Sequence, residues 1–213
     1  MNTSKKSAGS GRLTWYIGAG IAVLIGIAAI IAIGSNGGSD SSANGLQQFS
    51  DITVNGDPLP GYQEGTDPAI GMMAPEVTGQ GFNGNSVTTK TNSPQMIVFL
   101  AHWCPHCQRE VPLLVQWERD GQVPAGLEVM AVATATNPTN PNFPPSEWLT
   151  REEFPALWPV MADDGENKAG QAFGATGYPF FVLLDADGKV VYRGSGEIPM
   201  TELTAVIKTT LGL

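Results

Sequence analysis

Strands that alternate with helices, a charge-free apolar run near the N-terminus, and two cysteines separated by two residues predict an α/β protein. The expected architecture is a mostly parallel sheet covered by helices on both faces, preceded by one transmembrane helix. The 213 residues, 42% apolar and 15% charged, give room for one ordinary domain and an appendage.

The appendage comes first. Lys5, Lys6 and Arg12 are the only charged side chains before Asp40. Leu13 to Ile33 is a run of 21 uncharged residues, and at about 1.5 Å rise per residue it can cross a bilayer core of roughly 30 Å. By the positive-inside rule, residues 1–12 lie in the cytoplasm and everything beyond about residue 34 lies outside the cell membrane. A cleaved export signal is the alternative, because Ala32-Ile33-Gly34 offers small residues for cleavage, but the run exceeds the roughly 7 to 15 residues of a signal core. No cysteine follows closely, which excludes a lipoprotein anchor. Residues 34–45 have the Gly/Ser/Asn composition of a flexible linker, spanning roughly 17 to 21 Å root-mean-square.

Residues 46–213 make the exported domain, with its core from about Gly71. Ahead of that, Phe49, Ile52 and Val54 before Asn55-Gly56-Asp57 suggest a strand entering a turn. Phe82 to Val87 reads as a short hairpin, Met96 to Leu100 as a buried strand and Pro105 to Trp117 as a helix. Leu127 to Thr134 is a second buried strand. Four prolines between Asn137 and Pro145 then exclude regular structure. Ser146 is the expected N-cap of a helix reaching about Phe154. Trp158 to Met161 is a further strand and Asn167 to Phe173 a short helix. Phe180 to Leu184 turns at Asp185-Ala186-Asp187-Gly188 into Val190 to Arg193, and Thr201 to Leu211 is the last helix.

From residue 40 onward the chain carries 20 acidic against 8 basic residues, which argues against nucleic acid as a partner. Two cysteines this close cannot staple a domain of this size, so they read as chemistry. Cys104 sits where a strand gives way to a helix, with Pro105 suited to the first helical position. Unpaired backbone N–H groups and the positive end of the helix dipole favour thiolate over thiol there. Cys107 lies one turn on, within reach of the same sulfur.

At these residues the chain resembles the thioredoxin superfamily and, more closely, its membrane-tethered TlpA/ResA-like branch. The resemblance runs from about Gly71 to the C-terminus. It rests on Ala74-Pro75, Trp103-Cys104-Pro105-His106-Cys107, Glu110, Pro112 and Gly177-Tyr178-Pro179, in that order. It implies a thioredoxin-like fold with a central mixed sheet, and thiol-disulfide exchange with Cys104 attacking and Cys107 buried and resolving. The two would alternate between dithiol and redox-active disulfide. Pro179 would be a cis-proline facing the pair, flanked by Tyr178, with Trp103 as a wall of the substrate surface. Pro112 would kink the helix.

Glu110 is expected either to take the proton that Cys107 must lose or merely to complement an early helical turn. Thioredoxins carry a buried acid where this chain has Val98, so Glu110 is the obvious carboxylate for the task. Pro105 and His106 would tune the redox poise, with a solvated turn histidine as the alternative for His106. His102 reads as a neighbour only.

The Pro-His dipeptide resembles DsbA, an oxidase, whereas the rest of the domain resembles TlpA/ResA-like proteins, many of which are reductases serving cytochrome c maturation; a reductase or general oxidoreductase is preferred. Expected partners are cysteine-containing exported proteins, apocytochrome c among them, a membrane redox protein, and the bilayer through residues 13–33. No cofactor or metal is called for. A copper or zinc site could draw on His102, Cys104, His106 and Cys107, but no further segment supplies a histidine or cysteine. A non-catalytic binding module and a peroxiredoxin-like peroxidase fit the paired cysteines less well.

Overall fold

The computed structural model describes Met1 and residues 45–89 and 92–213. The expected transmembrane segment and most of the expected linker lie outside the described residues. Among the described residues no helix is long and apolar enough to cross a membrane.

The centre of the molecule is set by three strands whose side chains are all or nearly all buried: β4 (Gln95–Leu100), β5 (Glu128–Ala133) and β7 (Phe180–Leu184). Alternation divides them between two cores. Met96, Val98 and Leu100 of β4 join Val129, Ala131, Phe181 and Leu183 on one face, under α1 (Pro105–Arg119), α2 (Pro145–Arg151) and α4 (Met200–Leu211). Ile97 and Phe99 join Met130, Val132, Phe180 and Val182 on the other, under α3 (Lys168–Ala172) and the segment before β2. Continuous apolar runs therefore mean two-sided burial, as expected from Met96 to Leu100.

The remaining strands are β1 (Thr53–Asn55), β2 (Glu76–Gln80), β3 (Ser86–Thr88), β6 (Val160–Ala162) and β8 (Val190–Ser195). The sheet runs β1-β2-β6-β5-β4-β7-β8, with β3 paired to β2. Only β4 with β5 and β5 with β6 are parallel; the other pairings are antiparallel. The expectation of a mostly parallel sheet is thus corrected to the mixed sheet that the family resemblance implied. The reason lies in α3. Its five residues span about 7.5 Å, too little to carry the chain back along the sheet, so β7 starts at the end where β4 finishes and runs the other way.

Two local expectations are also corrected. Ser146 does not cap α2: the helix starts at Pro145 with Pro144 as its cap residue, and it ends at Arg151 rather than Phe154. A proline at the first helical position loses no hydrogen bond, so the Pro-Pro pair starts the helix two residues early. The hairpin expected at Phe82 to Val87 is present, with residues 82–85 in its turn and its strands β2 and β3 extending it to Glu76 and Thr88. The strand read at Trp158 to Met161 is shifted to Val160–Ala162.

The segment before β2 is fixed to the domain by a buried ion pair. Arg193 of β8 donates from Nε to Asp67 Oδ2 at 2.8 Å and from Nη2 to Asp67 Oδ1. Its Nη1 reaches Pro60 O at 2.9 Å and Phe173 O at 2.8 Å. Gly174, with φ at +67°, makes room for this: a Cβ there would stand 2.3 Å from Pro60 O and 2.6 Å from Arg193 Nη1.

Candidate active site

The chain leaves β4 at Leu100 and reaches Cys104 through a turn in which Cys104 N–H donates to Ala101 O at 3.0 Å. Cys104 is the cap residue of α1, Pro105 opens the helix, and Cys104 O accepts from Gln108 N–H at 3.1 Å. The expected placement of Cys104 at a helix N-terminus is what the structure contains. Cys104 is 7% exposed, and its thiol donates to Tyr178 O at 3.4 Å. Cys107 is fully buried, and its Sγ accepts from Ala101 N–H at 3.4 Å. Burial pushes the Cys107 thiol well up from its ordinary value, the Ala101 N–H opposes this, and Cys104 and Glu110 add to the rise. The two sulfurs are unlinked thiols in the structure. Cys104 thus keeps a small exposed edge, whereas Cys107 has none and holds its proton more tightly.

Glu110, one turn beyond Cys107, is also fully buried. Burial raises its carboxyl to about 7, against the opposing hydrogen bond from Ile198 N–H, with a smaller push from Glu197. Oε1 accepts from Ile198 N–H at 3.4 Å, whereas Oε2 has no hydrogen-bond partner among the described residues. A carboxyl in this state can hold or release a proton near neutral pH, which a surface carboxylate cannot. Val98 belongs to the apolar core on the α1 side of the sheet. Pro112 lies inside α1, which continues past it to Arg119.

The Tyr178–Pro179 peptide bond is cis, and Tyr178 supplies the carbonyl that meets Cys104. The Tyr178 phenol is hydrogen-bonded to Thr134, which in turn donates to Asp163 Oδ2 at 2.7 Å. Asp163 is buried and also accepts from Ala169 N–H at 2.9 Å and Gly170 N–H at 3.1 Å, so it ties α3 to the active-site loop. Burial raises its carboxyl despite these donors.

Trp103 is half-buried and donates from Nε1 to Ala135 O at 2.7 Å, which fixes one wall beside the cysteines. His106 is exposed, with Nδ1 2.6 Å from Glu197 Oε1 and 2.9 Å from Arg109 Nη2. His102 corrects the expectation of a mere neighbour. It is buried, its Nδ1 lies 2.7 Å from Pro141 O, and Nε2 accepts from Asn137 N–H at 3.2 Å. Because Nε2 accepts, Nδ1 carries the hydrogen, so this is a neutral imidazole pinning the proline-rich loop. With both ring nitrogens bound to backbone, His102 has none left for a metal shared with the cysteines.

Glu197, Arg109, Asp163 and Thr134 escaped sequence reasoning. Glu197 stands 88 positions from Arg109, so only the tertiary fold brings it here. Asp163, at the end of a short strand, gave no pattern to separate it from the neighbouring Asp164-Gly165-Glu166.

The Redoxin family model matches residues 69–207. Among solved structures, a Chlorobium tepidum protein assigned as thiol:disulfide interchange protein DsbE is 27% identical, with a TM-score of 0.54; the match covers 67% of this chain and 98% of that one. A thioredoxin-family thiol:disulfide interchange protein from Chlorobium tepidum TLS is 24% identical over 69% of this chain and 100% of that one, with a TM-score of 0.54. DsbF of Mycobacterium tuberculosis, solved in mixed oxidised and reduced forms, shares the fold at 23% identity and a TM-score of 0.51, covering 68% of this chain and 99% of its own. With a thiol at a helix cap that keeps a small exposed edge, a fully buried thiol behind it and a match to the family model over residues 69–207, the chain belongs to the Redoxin family and is a thiol-disulfide oxidoreductase of thioredoxin-like fold.

Proposed function

We propose that this protein is a membrane-tethered, extracytoplasmic oxidoreductase of the TlpA/ResA-like kind that exchanges disulfides with exported proteins through Cys104-Pro105-His106-Cys107, chiefly as a reductase. The observation that carries the reading is the pairing of a fully buried Cys107 with a buried Glu110 whose Oε2 is unpartnered. Only a thiol that waits for its turn needs such a neighbour.

In the reductive direction, the Cys104 thiolate attacks one sulfur of a substrate disulfide, and the other sulfur leaves as a thiolate. The substrate chain lies along the cis-Pro179 edge beside Tyr178 and Trp103. Cys107 then passes its proton to Glu110 and attacks Cys104 Sγ. The bond between Cys104 and the substrate breaks, and the second substrate sulfur leaves. The substrate gains two electrons and the enzyme holds a Cys104–Cys107 disulfide, which a dithiol on a membrane partner returns to the reduced state. Preference for this direction comes from the whole-domain resemblance, which spans far more residues than the DsbA-like Pro-His dipeptide.

Residues 13–33 hold the domain at the membrane in this reading, with residues 34–45 as the leash. The test is Cys107→Ser in the native cell envelope, which leaves mixed disulfides on Cys104 unresolved. Capture of apocytochromes or other proteins with reducible disulfides in the membrane fraction is the expected outcome. Capture of newly exported proteins that lack their disulfides would assign the DsbA-like direction, and recovery in the soluble fraction would remove the tether.

A further inference from the structure

The segment Gly196-Glu197-Ile198, between β8 and α4, touches the active site at three consecutive residues. Gly196 N–H donates to Pro179 O at 2.8 Å, continuing the β7–β8 ladder one step beyond the Phe180 to Ser195 pair. Glu197 presents Oε1 to His106 Nδ1 at 2.6 Å and to Arg109 Nε at 3.0 Å. Ile198 N–H reaches back to Glu110 Oε1 at 3.4 Å. The antiparallel return from β7 therefore delivers one carboxylate to the outer rim of the cysteine motif.

We propose that Glu197 is a positioning residue that sets the redox poise of the Cys104/Cys107 pair, by holding Arg109 and His106 in place and offsetting the positive charge that Arg109 directs at Cys104. The inference rests on the reading that this pair exchanges disulfides. In the dithiol form Cys104 can carry negative charge; in the disulfide it carries none. Charges fixed nearby thus favour one form over the other. Cys107 and Arg109 on α1 interact with this sulfur, the Tyr178 carbonyl on the cis-proline loop accepts from it, and Glu197 pairs in turn with Arg109 and His106. Arg109 interacts electrostatically with Cys104 as well as with Glu197. Hydrogen bonds from Arg109 and His106 hold the Glu197 carboxyl below the usual carboxylate range, so its charge persists at neutral pH. A fixed anion paired with Arg109 weakens that cation's support of the reduced pair and makes the disulfide less oxidising.

Equilibration of the full chain with reduced and oxidised glutathione measures this directly. The enzyme disulfide and two glutathione thiols give the enzyme dithiol and one glutathione disulfide. Glu197→Gln is expected to raise that equilibrium constant about two- to fivefold, roughly 9 to 21 mV for a two-electron couple. The shift should shrink in molar salt, since the pair is partly exposed. Arg109→Gln should move the constant the opposite way, and Glu197→Asp should keep it near the wild-type value. An unchanged constant in Glu197→Gln, or shifts of the same sign in Glu197→Gln and Arg109→Gln, overturns the proposal. Should Glu197→Gln fail to fold by circular dichroism, Arg109→Gln and Glu197→Asp decide the matter. If the wild-type chain does not equilibrate with glutathione at all, the underlying reading of disulfide exchange fails instead.

Discussion

Glu110 shows how far a single residue's surroundings decide its chemistry. A carboxyl raised to about 7 binds a proton in the folded state that the unfolded chain, near 4.5, has already released. Its effect on stability follows from that sign: the stabilisation contributed by Glu110 is full below about pH 4.5 and is lost as pH rises through 7. Glu110→Gln should remove this slope and stabilise the protein at pH 8 by on the order of 3 kcal/mol at most, measured by urea unfolding at pH 5 and pH 8. The same substitution should slow release of the mixed disulfide on Cys104 and abolish the inflection near pH 7 in its rate. An unaltered rate profile would return Glu110 to a structural role. The position of this residue one turn beyond Cys107 was legible from spacing. Its full burial was not, because the segment that covers it, with Ile198, comes from the far end of the chain.

Among the elements, legibility followed the strength of the local apolar pattern. Met96 to Leu100 announces β4 because every residue is buried. β2 passed unread because its inward positions are Val77 and Gly79. A side chain at Gly79 would stand 2.6 Å from Ile52 Cδ1, so packing demands a residue without hydrophobic signal. The proline-rich segment between β5 and α2 was correctly read as irregular. What organises it, the buried His102, was not visible, since nothing in sequence links residue 102 to Asn137 and Pro141. Burial lowers the His102 imidazole, with the Pro141 carbonyl opposing. The unfolded chain therefore takes up a proton near pH 6.5 before the folded one does, and the loop's anchorage weakens as pH falls through that range. His102→Ala leaves a buried N–H and a carbonyl without their partner, and should cost about 1 to 3 kcal/mol. Amide exchange at Asn137 should accelerate in this variant while amides in β4 and β5 stay protected from local opening.

At the scale of the whole molecule, the α/β class and two-sided helical cover were legible from alternation, whereas strand direction was not, because it depends on how far α3 carries the chain. The ion pair between Arg193 and Asp67 was equally hidden. Arg193 is 0% and Asp67 8% exposed at the side chain, so removing one partner strands the other in a medium that cannot solvate it. Asp67→Ala should destabilise the domain by about 3 to 5 kcal/mol in denaturant unfolding, far more than loss of an exposed pair such as Lys168 with Asp164. The family match begins at residue 69, yet the counter-ion of a buried arginine sits two positions before it. A fragment cut at the family boundary would keep both cysteines, the cis-proline and Glu110, and still be electrostatically incomplete. The smallest autonomous piece of this chain is therefore defined by charge balance in the interior rather than by the reach of the family match, and excision or domain grafting must begin upstream of Asp67.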